Sequence, residues 1–155
     1  MTEERQPVII RRADLRDREA WLRMRCDLWP EGSTAEHGAE IDAFFAGTSK
    51  MPLAVLIALD SSGEGIGFAE LSIRAYAEDC VTDRVAYLEG WYVVSHARRR
   101  GVGRALVQAA EQWAVSQGCT EFGSDALLDN ELSAAAHRAL GFQETVQIRC
   151  FKKVL

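Results

Sequence analysis

A chain of 155 residues suits one domain, 1–155, and at this length roughly 70% of the unfolded surface is buried, enough for a core of its own. Hydrophobic residues make up 48% and charged ones 26%, with no repeat and no Pro/Gly/Ser-rich tract, which excludes disordered, fibrous and repeat classes. The net charge of −5 argues against nucleic acid as the main partner, because phosphate binding needs a basic face, and an acidic surface instead favours cationic ligands.

The N-terminal stretch carries Glu3, Glu4, Arg5, Arg11 and Arg12 among few apolar residues, unlike a secretory signal. No stretch approaches the ~18 apolar residues of a membrane span, so a soluble, cytoplasmic protein without a membrane partner is expected. Cys26, Cys80, Cys119 and Cys150 are widely spread, with no C-x-x-C pair and no histidine placed to complete a zinc site. Buried free thiols and no metal are the reading.

In chain order, Val8 to Arg12 reads as a short strand, and Asp14 is placed to cap a helix with Trp21, Leu22, Leu28 and Trp29 at helical spacing, stopped by Pro30. A second helix is expected from about Thr34 to Ala46, with Ile41, Phe44 and Phe45 on one side. Two strand-like runs, Leu53 to Leu59 and Gly65 to Arg74, flank Asp60-Ser61-Ser62-Gly63, whose residue types favour a hairpin turn. Val85 to Val94 is a long strand rich in Tyr, Trp and Val. From Gly101 to about Gln117, Val102, Leu106, Ala109, Ala110 and Trp113 recur at helical spacing, and Gly118 is a natural C-cap. A strand near Thr120 to Ser124, a helix from about Glu131 to Leu140 and a final strand within Thr145 to Val154 complete the chain. The strand–helix–strand unit from Val85 to Ser124 implies a parallel pair and the earlier hairpin antiparallel ones, giving an α/β (α+β) fold with a mixed sheet covered by helices. Ligands of such sheets bind beyond the carboxyl ends of parallel strands, here near Val93 to His96 and Ser124 to Asp125.

Between the long strand and its helix the chain reads Ser95-His96-Ala97-Arg98-Arg99-Arg100-Gly101-Val102-Gly103-Arg104. Glycines without Cβ let an anion reach the backbone, the first helical turn offers free N–H groups, and the helix dipole adds favourable potential. This is a pyrophosphate cradle. A dinucleotide fold would need a third glycine, where Ala105-Leu106 stands, and the Gly-Lys-Ser/Thr of a nucleotide triphosphatase loop is missing.

The loop resembles the [QR]-x-x-G-x-[GA] motif of the GNAT acetyltransferases, matched by Arg98, Gly101 and Gly103. That resemblance implies a mostly antiparallel sheet with a central parallel pair that splays apart, helices on both faces, and acetyl-CoA lying in the gap. Longer stretches resemble the aminoglycoside 6'-N-acetyltransferases: Leu28-Trp29-Pro30, Gly67-Phe68-Ala69-Glu70, Ser72-Ile73-Arg74, Tyr87-Leu88-Glu89-Gly90, Gly118-Cys119-Thr120-Glu121, Ser124-Asp125 and His137 to Phe142. The resemblance implies acetyl transfer to an aminoglycoside, with resistance as the outcome, and a homodimer. By the same resemblance Trp29, Glu89 and Asp125 line the amine site, and Tyr76 falls there one register from the family's Asp-Tyr pair. Trp91, Tyr92 and Val93 bind the acetyl and pantetheine portion; Arg99, Arg100, Gly101, Val102, Gly103 and Arg104 bind the pyrophosphate; Asn130 binds the pantetheine arm. Val146 stands where the family has a substrate carboxylate.

Carboxylates can hold the ammonium groups of a polycation, and Trp29 offers a flat face for a sugar or a cation. Glu89 is a candidate catalytic base for the amine and equally a plain anchor for its charge. His137 occupies the place of the family's leaving-group tyrosine, with a structural helix histidine as the alternative. Trp21 and Trp113 lie on apolar helix faces and read as core. Two other functions fit the loop: acetylation of another cationic amine, such as a polyamine, amino acid or protein N-terminus, and a non-catalytic acetyl-CoA sensor.

Overall fold

The computed structural model describes residues 7–155, so Glu3, Glu4 and Arg5 of the N-terminal stretch lie outside the described residues. The chain runs β1 (Ile9–Arg12), α1 (Arg18–Leu28), α2 (Thr34–Phe45), β2 (Ala54–Leu59), β3 (Gly65–Arg74), β4 (Val85–Val93), α3 (Val102–Ser116), β5 (Phe122–Ser124) and α4 (Glu131–Ala139). Asp14 does cap, but what it caps is the single 3-10 turn Leu15–Asp17 that leads into α1. Ser33 and Glu36 form a reciprocal capping box at the start of α2, each side chain accepting from the other's backbone N–H.

The strands form one sheet in the order β1-β2-β3-β4-β5, antiparallel except for the parallel pair β4 and β5. Side-chain alternation along β2 and β3 feeds both faces of the sheet. Leu56, Ala58, Ala69 and Leu71 pack with Leu106, Val107, Ala110 and Trp113 of α3. Val55, Ile57 and Phe68 pack on the other face with Trp21 and Met24 of α1 and Ile41 of α2. Helices thus cover both faces, and Trp21 and Trp113 are core as expected.

The strand expected within 145–154 does not form: residues 143–155 adopt neither helix nor strand and are exposed. Their alternating Val146, Ile148 and Cys150 suit a strand, but a strand needs a partner edge, and β5 offers only three residues. The parallel pair therefore closes one edge of the sheet instead of lying at its centre. The thiols also differ from expectation, since only Cys119 is buried while Cys26 and Cys80 are half-buried and Cys150 is exposed.

Candidate active site

The basic loop is built as a cradle. Arg99 and Gly101 both take left-handed backbone, at φ 61° and 84°, turning the chain sharply into α3. The first turn of α3 has no side-chain cap and no acidic residue, so its N–H groups and dipole face outward unopposed. Arg98 braces the loop from within. Its Nε donates to the Val93 carbonyl at 2.8 Å and its guanidinium lies over the Tyr92 ring, tying the loop to the end of β4. Arg99, Arg100 and Arg104 are exposed around the cradle, and Arg104 Nη2 also donates to the Ala139 carbonyl at 3.4 Å, linking α3 to α4.

Beside the cradle the sheet opens. Pairing of β4 with β5 stops at Leu88 and Ser124, while β4 continues to Val93, so residues 89–93 leave one edge unpaired among the described residues. The opening starts at a β-bulge, because Glu70 pairs with Gly90 and Leu71 with Leu88, leaving Glu89 as the extra residue. The bulge reverses the alternation: Ala86 and Leu88 face α3 before it, whereas Trp91 and Val93 do so after it. Val94 N–H donates to Ile66 on β3, so alternation turns the Val93 N–H toward the gap. Trp91 Nε1 is buried there without a hydrogen-bond partner among the described residues. A Cβ on Gly103 would lie 3.1 Å from the Trp91 ring, so the helix start and the gap meet at this indole.

The bulge aims Glu89 at the opposite face, into a cleft of about 430 Å³ lined by Arg25 and Trp29 of α1 and its cap, Glu40 of α2, Ser49, Met51 and Pro52 of the following loop, and Glu70 of β3. Arg74 grips Glu89 with two nitrogens, at 2.9 and 2.7 Å, and Ser72 Oγ donates to the same carboxylate. Its hydrogen bond to Glu89 holds the Arg74 guanidinium above its ordinary pKa. Arg74 also lies 3.6 Å above the Tyr87 ring, and Tyr87 O–H donates to Asp125 at 2.8 Å. Burial, followed by that bond to Asp125, pushes the Tyr87 phenol well above its usual pKa. Glu89 and Asp125 are thus joined through Arg74 and Tyr87, and Trp29 shares the cleft with Glu89. Tyr76 is not brought to this group: it is exposed, and its O–H donates to Glu78 at 3.2 Å.

Asn130 spends its carbonyl on the N-cap of α4, accepting from Ser133 N–H at 3.0 Å. His137 has both ring nitrogens engaged, Nδ1 with the Ser133 carbonyl at 2.7 Å and Nε2 with Ser124 Oγ at 2.8 Å, and its ring packs edge-on against Trp91 and Phe142. A carbonyl can only accept, so Nδ1 carries a proton, while Nε2 shares a hydrogen bond with Ser124 Oγ, which also lies 3.3 Å from the Leu88 carbonyl. This geometry supports the structural alternative for His137.

Sequence reasoning missed Arg74, Arg25, Glu40 and Glu70. Glu70 carried a visible signal as a carboxylate inside the apolar run Gly65 to Leu71, and the structure places it buried against Arg25 at 2.6 Å. Burial raises its pKa, with Arg25 and Trp21 pulling the other way.

An uncapped helix start beside a parallel strand pair whose pairing stops at a bulge defines an anion-binding crevice at the carboxyl end of the sheet. Residues 18–142 match the sequence model of the Acetyltransferase (GNAT) family, and the chain belongs to that family. It is 56% identical over 147 residues to an aminoglycoside N(6')-acetyltransferase type 1 of Klebsiella aerogenes, covering 95% of this chain and 97% of that one. Its fold matches the structure of AAC(6')-Iy in complex with the bisubstrate analogue CoA-S-monomethyl-acetylneamine, with a TM-score of 0.88, 33% identity, and 96% and 99% of the two chains covered. It likewise matches an aminoglycoside 6'-N-acetyltransferase of Acinetobacter haemolyticus without ligand, with a TM-score of 0.86, 40% identity, and 95% and 99% coverage.

Proposed function

We propose that the protein moves the acetyl group of acetyl-CoA to the 6'-amine of an aminoglycoside antibiotic and so confers resistance. The observation that carries this reading is the cleft shared by Trp29 and Glu89, with Glu40 and Glu70 also in its lining, which the bulge at the end of β4–β5 pairing provides with Glu89. A polycationic acceptor suits that lining, and the 56% identical relative carries the name of this activity.

The residues beside the cleft fit the donor. Arg99, Arg100, Gly101, Val102, Gly103 and Arg104 hold the pyrophosphate, and Trp91, Tyr92 and Val93 hold the pantetheine and acetyl end, with the orphaned Trp91 Nε1 as a ready donor. Asn130 serves the pantetheine arm through its amide nitrogen, its carbonyl being taken by the α4 cap. Acetyl-CoA supplies an activated thioester. Val93 N–H, turned to the gap, is placed to polarise an acyl oxygen. Glu89 anchors the amine: Arg74 and Ser72 hold its carboxylate in place in the cleft, where it meets the arriving ammonium. Asp125 holds a second ammonium. His137 orients Trp91 from behind.

Free-thiol release with acetyl-CoA and a panel of kanamycin-class aminoglycosides, spermidine and peptides tests the reading. Turnover with the aminoglycosides is expected; turnover confined to spermidine or peptides, or none, would overturn it. The protein acts in the cytoplasm, with its acyl donor, as a homodimer in which a second copy covers the short edge strand β5 and the exposed Val146, Ile148 and Phe151. Light scattering should give twice the 17.2 kDa of one chain, and a single-chain mass would contradict the dimer.

A further inference from the structure

We propose that Arg25 is a positioning residue for the acceptor amine, acting through Trp29; the inference rests on the reading of Trp29 as a wall of the acceptor cleft. Arg25 is buried, and its guanidinium is held on three sides: Nε to Glu70 at 2.6 Å, Nη1 to Glu40, and Nη1 facing His37 Nδ1 at 3.5 Å. The fourth contact is the Trp29 ring, whose centroid lies 5.0 Å from the guanidinium carbon. His37 holds Trp29 as well. Its Nε2 lies 2.9 Å from the Trp29 carbonyl, which can only accept, so Nε2 carries the proton and Nδ1 presents its lone pair to Arg25. The imidazole also stacks on the indole, with planes 25° apart.

Trp29 has no latitude on the sheet side either. A Cβ on Gly90 would lie 2.6 Å from the indole Cη2, and Phe68 meets the ring edge-on. The indole therefore lies against β4 backbone next to the bulge that carries Glu89. Neutralising Glu70 alone would need only a cation; the planar guanidinium, held by two carboxylates and a histidine and laid over a ring, does more than neutralise. It fixes the angle of the wall against which the acceptor is bound, and couples that wall to Glu40 at the cleft's outer lip.

The test is a double-mutant cycle of Arg25→Lys with Trp29→Ala, read as KM for the aminoglycoside and, separately, KM for acetyl-CoA. Lysine keeps a cation against Glu70 but cannot lie flat on the ring. Arg25→Lys is expected to raise the aminoglycoside KM about fivefold, the scale of a lost cation–π contact, and to leave the acetyl-CoA KM unchanged. In the Trp29→Ala background the same substitution should add nothing. Full additivity of the two changes would overturn the positioning role while leaving the acceptor site in place, as would an equal rise in both KM values. No effect of Trp29→Ala on the aminoglycoside KM would overturn both. Should Arg25→Lys fail to fold, His37→Gln, which leaves the Arg25–Glu70 pair intact, runs through the same cycle with the same outcomes.

Discussion

Glu89→Gln is expected to lower kcat/KM for the acceptor amine by about a hundredfold, with the greater part in the amine KM and none in the acetyl-CoA KM. The amide is isosteric, so the bulge and the cleft persist, and what is lost is one negative charge at the cleft floor. That loss acts twice. The arriving ammonium loses its anion, and Arg74, which spends two nitrogens on Glu89, is left as an unopposed cation beside the site. Steady-state kinetics with each substrate varied in turn would check the result. Near wild-type kcat/KM would remove Glu89 from the acceptor site, and a fall confined to kcat would give it the proton instead of the anchor.

The second large effect falls on stability. Glu70→Ala should destabilise the fold by about 3–5 kcal/mol, as expected when one partner of a buried ion pair is deleted. Among carboxylates Arg25 would keep only Glu40, which lies at the surface, and Trp21 Nε1, 2.9 Å from Glu70, would lose its acceptor in the core. For a chain of this size the melting temperature should fall on the order of 10 °C. Combining Arg25→Met with Glu70→Leu should return much of that stability, because a matched apolar pair removes both charges together. Thermal unfolding of the two variants decides it: a Glu70→Ala melting temperature equal to wild type would show that the pair contributes no net stability.

The parts legible in the sequence are those set by local periodicity. The helix from Val102, the two glycines before and within its first turn and the preceding strand are fixed by residues within a few positions of one another, and α3 spans Val102–Ser116 as its pattern implies. The acceptor cleft is different. Tyr87, Glu89 and Trp91 alternate in the sequence as if they shared one face, but the bulge at Glu89 sends Trp91 to the α3 side, and a bulge leaves no mark in residue type here. Trp29 and Glu89 are linked in the sequence by resemblance alone, without any periodicity to place them together. Arg25 and Glu70 are 45 positions apart, so only the folded chain could reveal that an apparently solvated helix arginine closes on a carboxylate in an apolar strand. The C-terminal run failed for a complementary reason: its alternation is strand-like, yet alternation does not supply a partner edge.

The acceptor assignment is tested most directly by a matched pair of aminoglycosides that differ only in carrying an amine or a hydroxyl at the 6' position, each incubated with the protein and acetyl-CoA while free thiol is followed. Thiol release with the 6'-amine and none above background with the 6'-hydroxyl is the expected result. Equal release with both would place the acetylated nitrogen elsewhere on the antibiotic, and release with neither would contradict the aminoglycoside as acceptor.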